Sequence, residues 1–151
     1  MAMNAQNQSI TRLTWTQPLL WLWVSPASLL GGLIGLLGLC TGGQVRVISG
    51  TLEFSGGAVT WLLNRLPIQP LGMTLGHVIL GVSPVALEIV RAHEQVHVRQ
   101  YERWGPGFIP AYLLSSAWLW LRGRDCYRQN PFEVEAFAAD EARQRHRRLG
   151  D

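Results

Sequence analysis

A run of 22 residues without a charged side chain, Leu19–Cys40, constrains this 151-residue chain more than any other feature. At 1.5 Å per residue, a helix of this length crosses the ~30 Å hydrocarbon layer of a bilayer. Charge is also unevenly distributed, because only four of the 23 charged residues lie among the first 87 positions. The sequence therefore predicts a membrane-suited N-terminal part followed by a charged, helix-prone part.

Residues 1–41 are predicted to comprise a polar N-terminus and this apolar segment, inserted in or associated with a membrane. Trp15, Trp21 and Trp23 cluster at one end of the run, as aromatic residues do at membrane surfaces. A cleaved secretory signal is disfavoured, because the apolar region is long and no basic region precedes it. A proline and a glycine pair inside the run leave a re-entrant hairpin open, and a buried core helix is a further alternative.

The flanking charges Arg12 and Arg46 nearly cancel and give no membrane orientation. Cys40 and Cys126 are isolated cysteines without CxxC spacing, which suits a reducing compartment. We expect a bacterial inner or internal membrane, with the remainder of the chain on its cytoplasmic side.

Residues 42–151 are predicted to form one α+β domain. Alternating apolar residues around a Ser-Gly turn predict a β-hairpin within 42–54, and Met73–Gly81 is predicted to be a single strand at a sheet edge. We expect a short antiparallel sheet, made of the hairpin and the edge strand, packed on the helix that follows. Phe108–Leu121 is apolar but only 14 residues long, which is short for a membrane span and fits a core or interfacial helix.

The helix after this strand carries the motif HEQVH, in which His93 and His97 stand four residues apart. Ser83 as N-cap and Pro84 in the first position predict where the helix begins, and the Gly-Pro-Gly at 105–107 predicts where it ends. Histidines at this spacing share one helical face and can bind one metal ion, with zinc expected. Glu94 projects towards the same cleft, where it could act as general base towards water at the metal.

The motif, followed by NPFEVEAF on a later helix, resembles the gluzincins, zinc peptidases with a glutamate as third ligand. The pattern is similar to HtpX-type and CAAX-processing membrane peptidases, and to small bacterial proteins with a HExxH helix. Their later helix reads E-x-x-A-D, which implies Glu133 as ligand here. An alignment on Glu followed by Ala implies Glu135 instead. The family's Asp position holds Phe137, and Asp140 one turn further on is a candidate replacement.

The resemblance implies a minimal zincin-like fold and a zinc metalloendopeptidase acting on a membrane-proximal polypeptide. In such peptidases an edge strand pairs with extended substrate, which would assign Thr74, Gly76 and Val78 to substrate binding. Expected partners are a peptide or protein substrate and membrane lipid. No nucleic acid is expected, because the C-terminal arginines lack an interleaved aromatic stripe.

Two other classes of function remain open. The first is a non-catalytic zinc-binding structural or assembly protein of the membrane on the same scaffold, which the small size and the missing Asp favour. The second is a small membrane interaction protein in which HEQVH binds no metal. Metal titration separates the second class from the other two.

Overall fold

The computed structural model describes residues 16–150, with side chains from 22 to 146. The predicted aromatic cluster is therefore described only at Trp23, and Arg12, Trp15 and the side chain of Trp21 lie outside the described residues. The elements in chain order are α1 Thr16–Cys40, β1 Gln44–Ile48, β2 Thr51–Ser55, α2 Gly57–Leu63, β3 Gly72–Leu75, β4 Val78–Gly81, α3 Pro84–Trp104, α4 Phe108–Leu121 and α5 Pro131–Gly150.

The four strands form one mixed sheet in the order β1-β2-β4-β3. The predicted hairpin is present, since β1 and β2 are antiparallel and joined at Ser49 and Gly50, both with positive φ. Strands β3 and β4 are antiparallel, whereas β2 and β4 run parallel with Leu52 opposite Val78. The α+β class is confirmed, but the expectation of a wholly antiparallel sheet is wrong, because the chain crosses over through α2 before β3.

The predicted single strand Met73–Gly81 is wrong, because the chain turns back at Gly76 and His77 and forms β3 and β4. Gly76 has a φ of 65°, a conformation that glycine adopts without the strain of a side chain. Of these two strands, only β3 lies at an edge of the sheet, while β4 is an interior strand and all four of its residues are buried. Thr74 therefore lies on the edge strand, Gly76 in the turn and Val78 on an interior strand.

Helix α1 is continuous and packs lengthwise on the sheet. A Cβ added at Gly31 would lie 2.8 Å from the Cβ of Val78, and one added at Gly35 would lie 2.5 Å from the ring of Phe54. The glycines thus permit the close packing of helix and sheet, and the re-entrant hairpin is not formed. The segment Leu22–Cys40 is long and apolar enough to cross a membrane, and 22% of its most apolar 18-residue stretch is buried. Its outer side exposes Leu22, Leu29, Leu30, Leu33, Leu36 and Leu37.

Helix α3 begins as predicted, because the Ser83 hydroxyl accepts a hydrogen bond from the amide of Ala86. It is attached to the sheet by a partly buried ion pair that the sequence analysis did not predict. The guanidinium of Arg91 donates to both carboxylate oxygens of Glu53 on β2, at 2.7 and 2.9 Å. Helix α5 packs along α3 and brings the second half of the candidate site into place.

Candidate metal centre

Two histidines of α3 provide the first two donor groups of the site. His93 and His97 are one helical turn apart, and both are buried under α4 and α5. Their Nε2 atoms lie 3.2 Å apart. Because α3 is fixed to the sheet on its other side, the two imidazoles have a rigid support.

Helix α5 adds the carboxylate of Glu133. Its first turn is held by Asn130, whose side-chain oxygen accepts from the amide of Phe132 at 3.0 Å and whose side-chain nitrogen donates to the carbonyl of Tyr112 at 3.1 Å. Glu133 Oε2 lies 3.2 Å from the Nε2 atom of His93, and Glu133 Oε1 lies 3.5 Å from that of His97. The buried triad His93, His97 and Glu133 could hold a metal ion.

The donor atoms of the triad are close enough together to share one metal ion. With one donor atom from each residue, all three atoms lie within 4.8 Å of one another. The two histidine Nε2 atoms are 3.2 Å apart, and each lies 3.2 or 3.5 Å from one of the two oxygens of Glu133. Glu133 Oε2 is also buried without a hydrogen-bond donor among the described residues. A cation at this point would satisfy that oxygen, so the donor set fits a metal such as zinc.

Each histidine is oriented through its other ring nitrogen. The Nδ1 atom of His93 lies 3.2 Å from Asp140 Oδ2, and that of His97 lies 2.8 Å from Gln100 Oε1. Both partners accept a hydrogen bond, which places the proton on Nδ1 and leaves Nε2 free to bind a metal. Asp140 thus occupies the position that the sequence suggested for it.

Gln100 is the functional residue that the sequence analysis missed. It has no exposed surface, and its side-chain nitrogen donates to the Phe132 carbonyl at 3.0 Å and to Glu135 Oε2 at 2.9 Å. The available signal was its position three residues after His97, on the same helical face. Its contacts with α5 could not be inferred from that spacing.

Glu135, the alternative third ligand, lies away from the histidines. Its carboxylate accepts from Gln100 and lies 3.7 Å from the guanidinium of Arg103, with 46% of its side chain exposed. The structure therefore brings Glu133 to the histidine pair and gives Glu135 a supporting position.

Glu94 is buried beside the triad and receives a hydrogen bond from β3. The Thr74 hydroxyl donates to Glu94 Oε2 at 2.7 Å. Burial raises the pKa of Glu94, although His97, Thr74 and His93 oppose the shift. Burial acts against protonation of His93, but the neighbouring carboxylates outweigh it and raise the pKa of that imidazole.

A cleft of about 280 Å³ lies next to the site. Its described lining contains two imidazoles and two carboxylates, those of His93, His97, Glu94 and Glu133. Of the three predicted substrate-binding residues, Thr74 lines the cleft and Gly76 and Val78 do not. The remaining lining is Leu66, Ile68, Pro70, Gly72, Met73, Leu75, Tyr101, Phe108, Ile109, Tyr112, Leu113 and Tyr127.

Two tyrosines, Tyr112 and Tyr127, also line the cleft. Tyr112 donates a hydrogen bond of 2.7 Å to Glu133 Oε1, and burial together with Glu133 raises the pKa of Tyr112. Burial also raises the pKa of Tyr127. Both hydroxyls therefore stay protonated at neutral pH, and the single O–H of Tyr112 is directed at Glu133.

No protein-family model, curated protein sequence or solved structure matches this chain. The functional argument therefore depends on the geometry of the site and on the chemistry of its donors.

Proposed function

We propose that the protein is a zinc-dependent metalloendopeptidase. The observation that carries the proposal is the convergence of His93, His97 and Glu133, with Glu94 buried in the same cleft. Three protein ligands with an open fourth position are typical of catalytic rather than structural zinc. When bound, zinc supplies Lewis acidity, which polarises a carbonyl and lowers the pKa of water to about 7.

Glu94 is the residue that moves protons in this proposal. Its carboxylate takes a proton from the attacking water and later delivers it to the nitrogen of the departing amine. The Thr74 hydroxyl holds Oε2 of this carboxylate, which leaves Oε1 for contact with water. A raised pKa suits a group that must both accept and return a proton.

Strand β3 is the proposed docking edge for the substrate. It ends the sheet among the described residues, so one side of its backbone is available for pairing with an extended polypeptide. Thr74 connects this edge to Glu94 and thus places a bound backbone near the metal centre. The proposed substrate is an internal segment of a membrane-proximal polypeptide.

The proposed location is a bacterial membrane, with the catalytic part on the cytoplasmic side. The exposed apolar surface of α1 supports membrane association. Cys40 and Cys126 are both exposed and unpaired by disulfide, which is the usual state of cysteines in a reducing compartment.

Metal content and hydrolysis of a fluorogenic peptide panel test the proposal on purified full-length protein. Wild type should contain one zinc ion per chain and cleave internal bonds. Glu94→Gln should retain the ion and lose hydrolysis, because the amide cannot accept the proton. His93→Ala should lose the ion as well as the activity.

Protein purified without stoichiometric metal, or His93→Ala with unchanged metal content, would contradict the assignment. Stoichiometric zinc without hydrolysis of any peptide in the panel would instead identify the alternative, a zinc-binding structural or assembly protein. Hydrolysis retained by Glu94→Gln would remove Glu94 from the mechanism.

A further inference from the structure

The solvent-exposed surface of helix α4 is predominantly apolar. Its sequence contains no charged residue, and its isoleucine, tryptophans and leucines are exposed with the exception of Leu119. Leu114 and Leu121 each expose 71% of their surface and Trp120 exposes 70%. A contiguous apolar surface of this kind marks a site of interaction with lipid or protein.

Helix α4 begins beside α1. Phe108, the first residue of α4, packs in one buried cluster with Val24 of α1. Ala27 and Ala111, one from each helix, lie against the same cluster. Helix α4 therefore begins beside the N-terminal part of the apolar segment Leu22–Cys40, and both helices expose apolar side chains.

The chain is basic immediately after this apolar helix. Arg122, Arg124 and Arg128 are exposed, and Asp125 is the single acidic residue among positions 122–128. Asp125 is engaged locally, since its Oδ1 accepts hydrogen bonds from two backbone amides of the same turn. The Arg122 guanidinium also lies 4.2 Å above the ring of Trp118. Tryptophan and arginine at the end of an apolar helix suit the headgroup layer of a membrane with anionic lipid.

We propose that α4 is a second membrane-inserted element, which enters the interfacial layer of an anionic bilayer beside α1. Fourteen residues are too few to cross the bilayer, so α4 lies in the interfacial layer rather than spanning the membrane. Lipid is favoured over a protein partner because α4 begins beside α1, which also exposes apolar side chains, and ends at a basic cluster.

The placement of α4 determines where the cleft opens. The functional significance of that opening rests on the proposed peptidase activity. Ile109 and Leu113 of α4 line the cleft, and Ile68, which is exposed, lines it from the segment before β3. With α4 in the interfacial layer, the cleft opens at the bilayer. Its substrates are then polypeptide segments that lie in or emerge from the membrane.

Site-specific fluorescence on the full-length chain tests the placement. Cys40→Ser and Cys126→Ser give a background without reactive thiols, into which Leu114→Cys, Ile68→Cys or Ile89→Cys is introduced and labelled with an NBD fluorophore. Ile89 is the control, because it is an equally exposed apolar residue on the charged helix α3. Each protein is reconstituted in phosphatidylcholine–phosphatidylglycerol vesicles and exposed to doxyl-labelled lipid or to aqueous iodide.

The labels at Leu114 and Ile68 should emit at shorter wavelength and be quenched by the lipid doxyl group, whereas the label at Ile89 should be quenched by iodide. Quenching of the Leu114 label by iodide would overturn the insertion of α4. Shielding of that label from both quenchers would overturn it in favour of a protein partner. A lipid-quenched Leu114 label with an iodide-quenched Ile68 label would refute the opening of the cleft at the bilayer. Because no hydrolysis or metal is needed, these outcomes are independent of the peptidase proposal.

Discussion

The side chain of Gln100 supports the candidate metal centre through His97, and its loss should weaken metal binding. Gln100→Leu keeps the approximate volume but removes the acceptor that lies 2.8 Å from the Nδ1 atom of His97. The imidazole would then lose the contact that fixes its proton and its rotation. Loss of such a partner costs about 10–100-fold in metal affinity, which corresponds to about 1.4–2.8 kcal/mol.

The same substitution should also lower the stability of the metal-free protein. The Nδ1 atom of His97 loses its acceptor in the buried interior, whereas the carbonyl of Phe132, in the first turn of α5, loses a side-chain donor and keeps the intrahelical one. A buried polar group left without a partner costs about 1–3 kcal/mol, so the free energy of unfolding should fall by about 1–3 kcal/mol. The contact with Glu135 contributes less, because that carboxylate is half exposed.

Competition for zinc with a chromophoric chelator measures the affinity, and urea unfolding of the metal-free protein measures the stability. Glu135→Gln is the matched control, because its amide oxygen can still accept from Gln100 and zinc affinity should stay unchanged. Gln100→Met repeats the test with a second apolar side chain. Wild-type zinc affinity in a folded Gln100→Leu protein would refute the positioning role of Gln100.

Two further comparisons test the ligand set and the packing of α1. Glu133→Ala should abolish stoichiometric zinc and Glu135→Ala should retain it, as measured by metal analysis after gel filtration; equal loss in both would contradict the ligand assignment. Gly35→Ala should lower the free energy of unfolding in detergent by about 1–3 kcal/mol, because the new methyl group collides with the ring of Phe54. Gly32→Ala, which meets no atom within 4 Å, should leave stability unchanged or raise it.

The sequence predicted the parts of the fold that depend on neighbouring residues. Ser83, Pro84 and Gly105 mark the two ends of α3 through local hydrogen bonds and backbone restrictions, and the helix has these bounds. His93 and His97 share a helical face for the same local reason, so their convergence followed from their spacing alone.

Pairings between distant segments could not be predicted in this way. The apolar residues of β2 and β4 indicate strands, but they contain no information about the relative direction of those strands, which are parallel. The break at Gly76 was missed because an apolar run does not distinguish one strand from two short ones. The hydrogen bonds from Gln100 to α5 were missed because Phe132 and Glu135 lie more than 30 positions further along the chain.

Gly105 lies between α3 and α4, and its surroundings restrict which residues related sequences can carry at this position. Its φ is 53°, and a Cβ at this position would fall within the indole ring of Trp23. Neither a backbone adjustment nor a side-chain rotation alone would admit a larger residue. We expect natural variants to retain glycine wherever a tryptophan occupies position 23. Departures from glycine should occur with a smaller residue at that position, so positions 23 and 105 should covary.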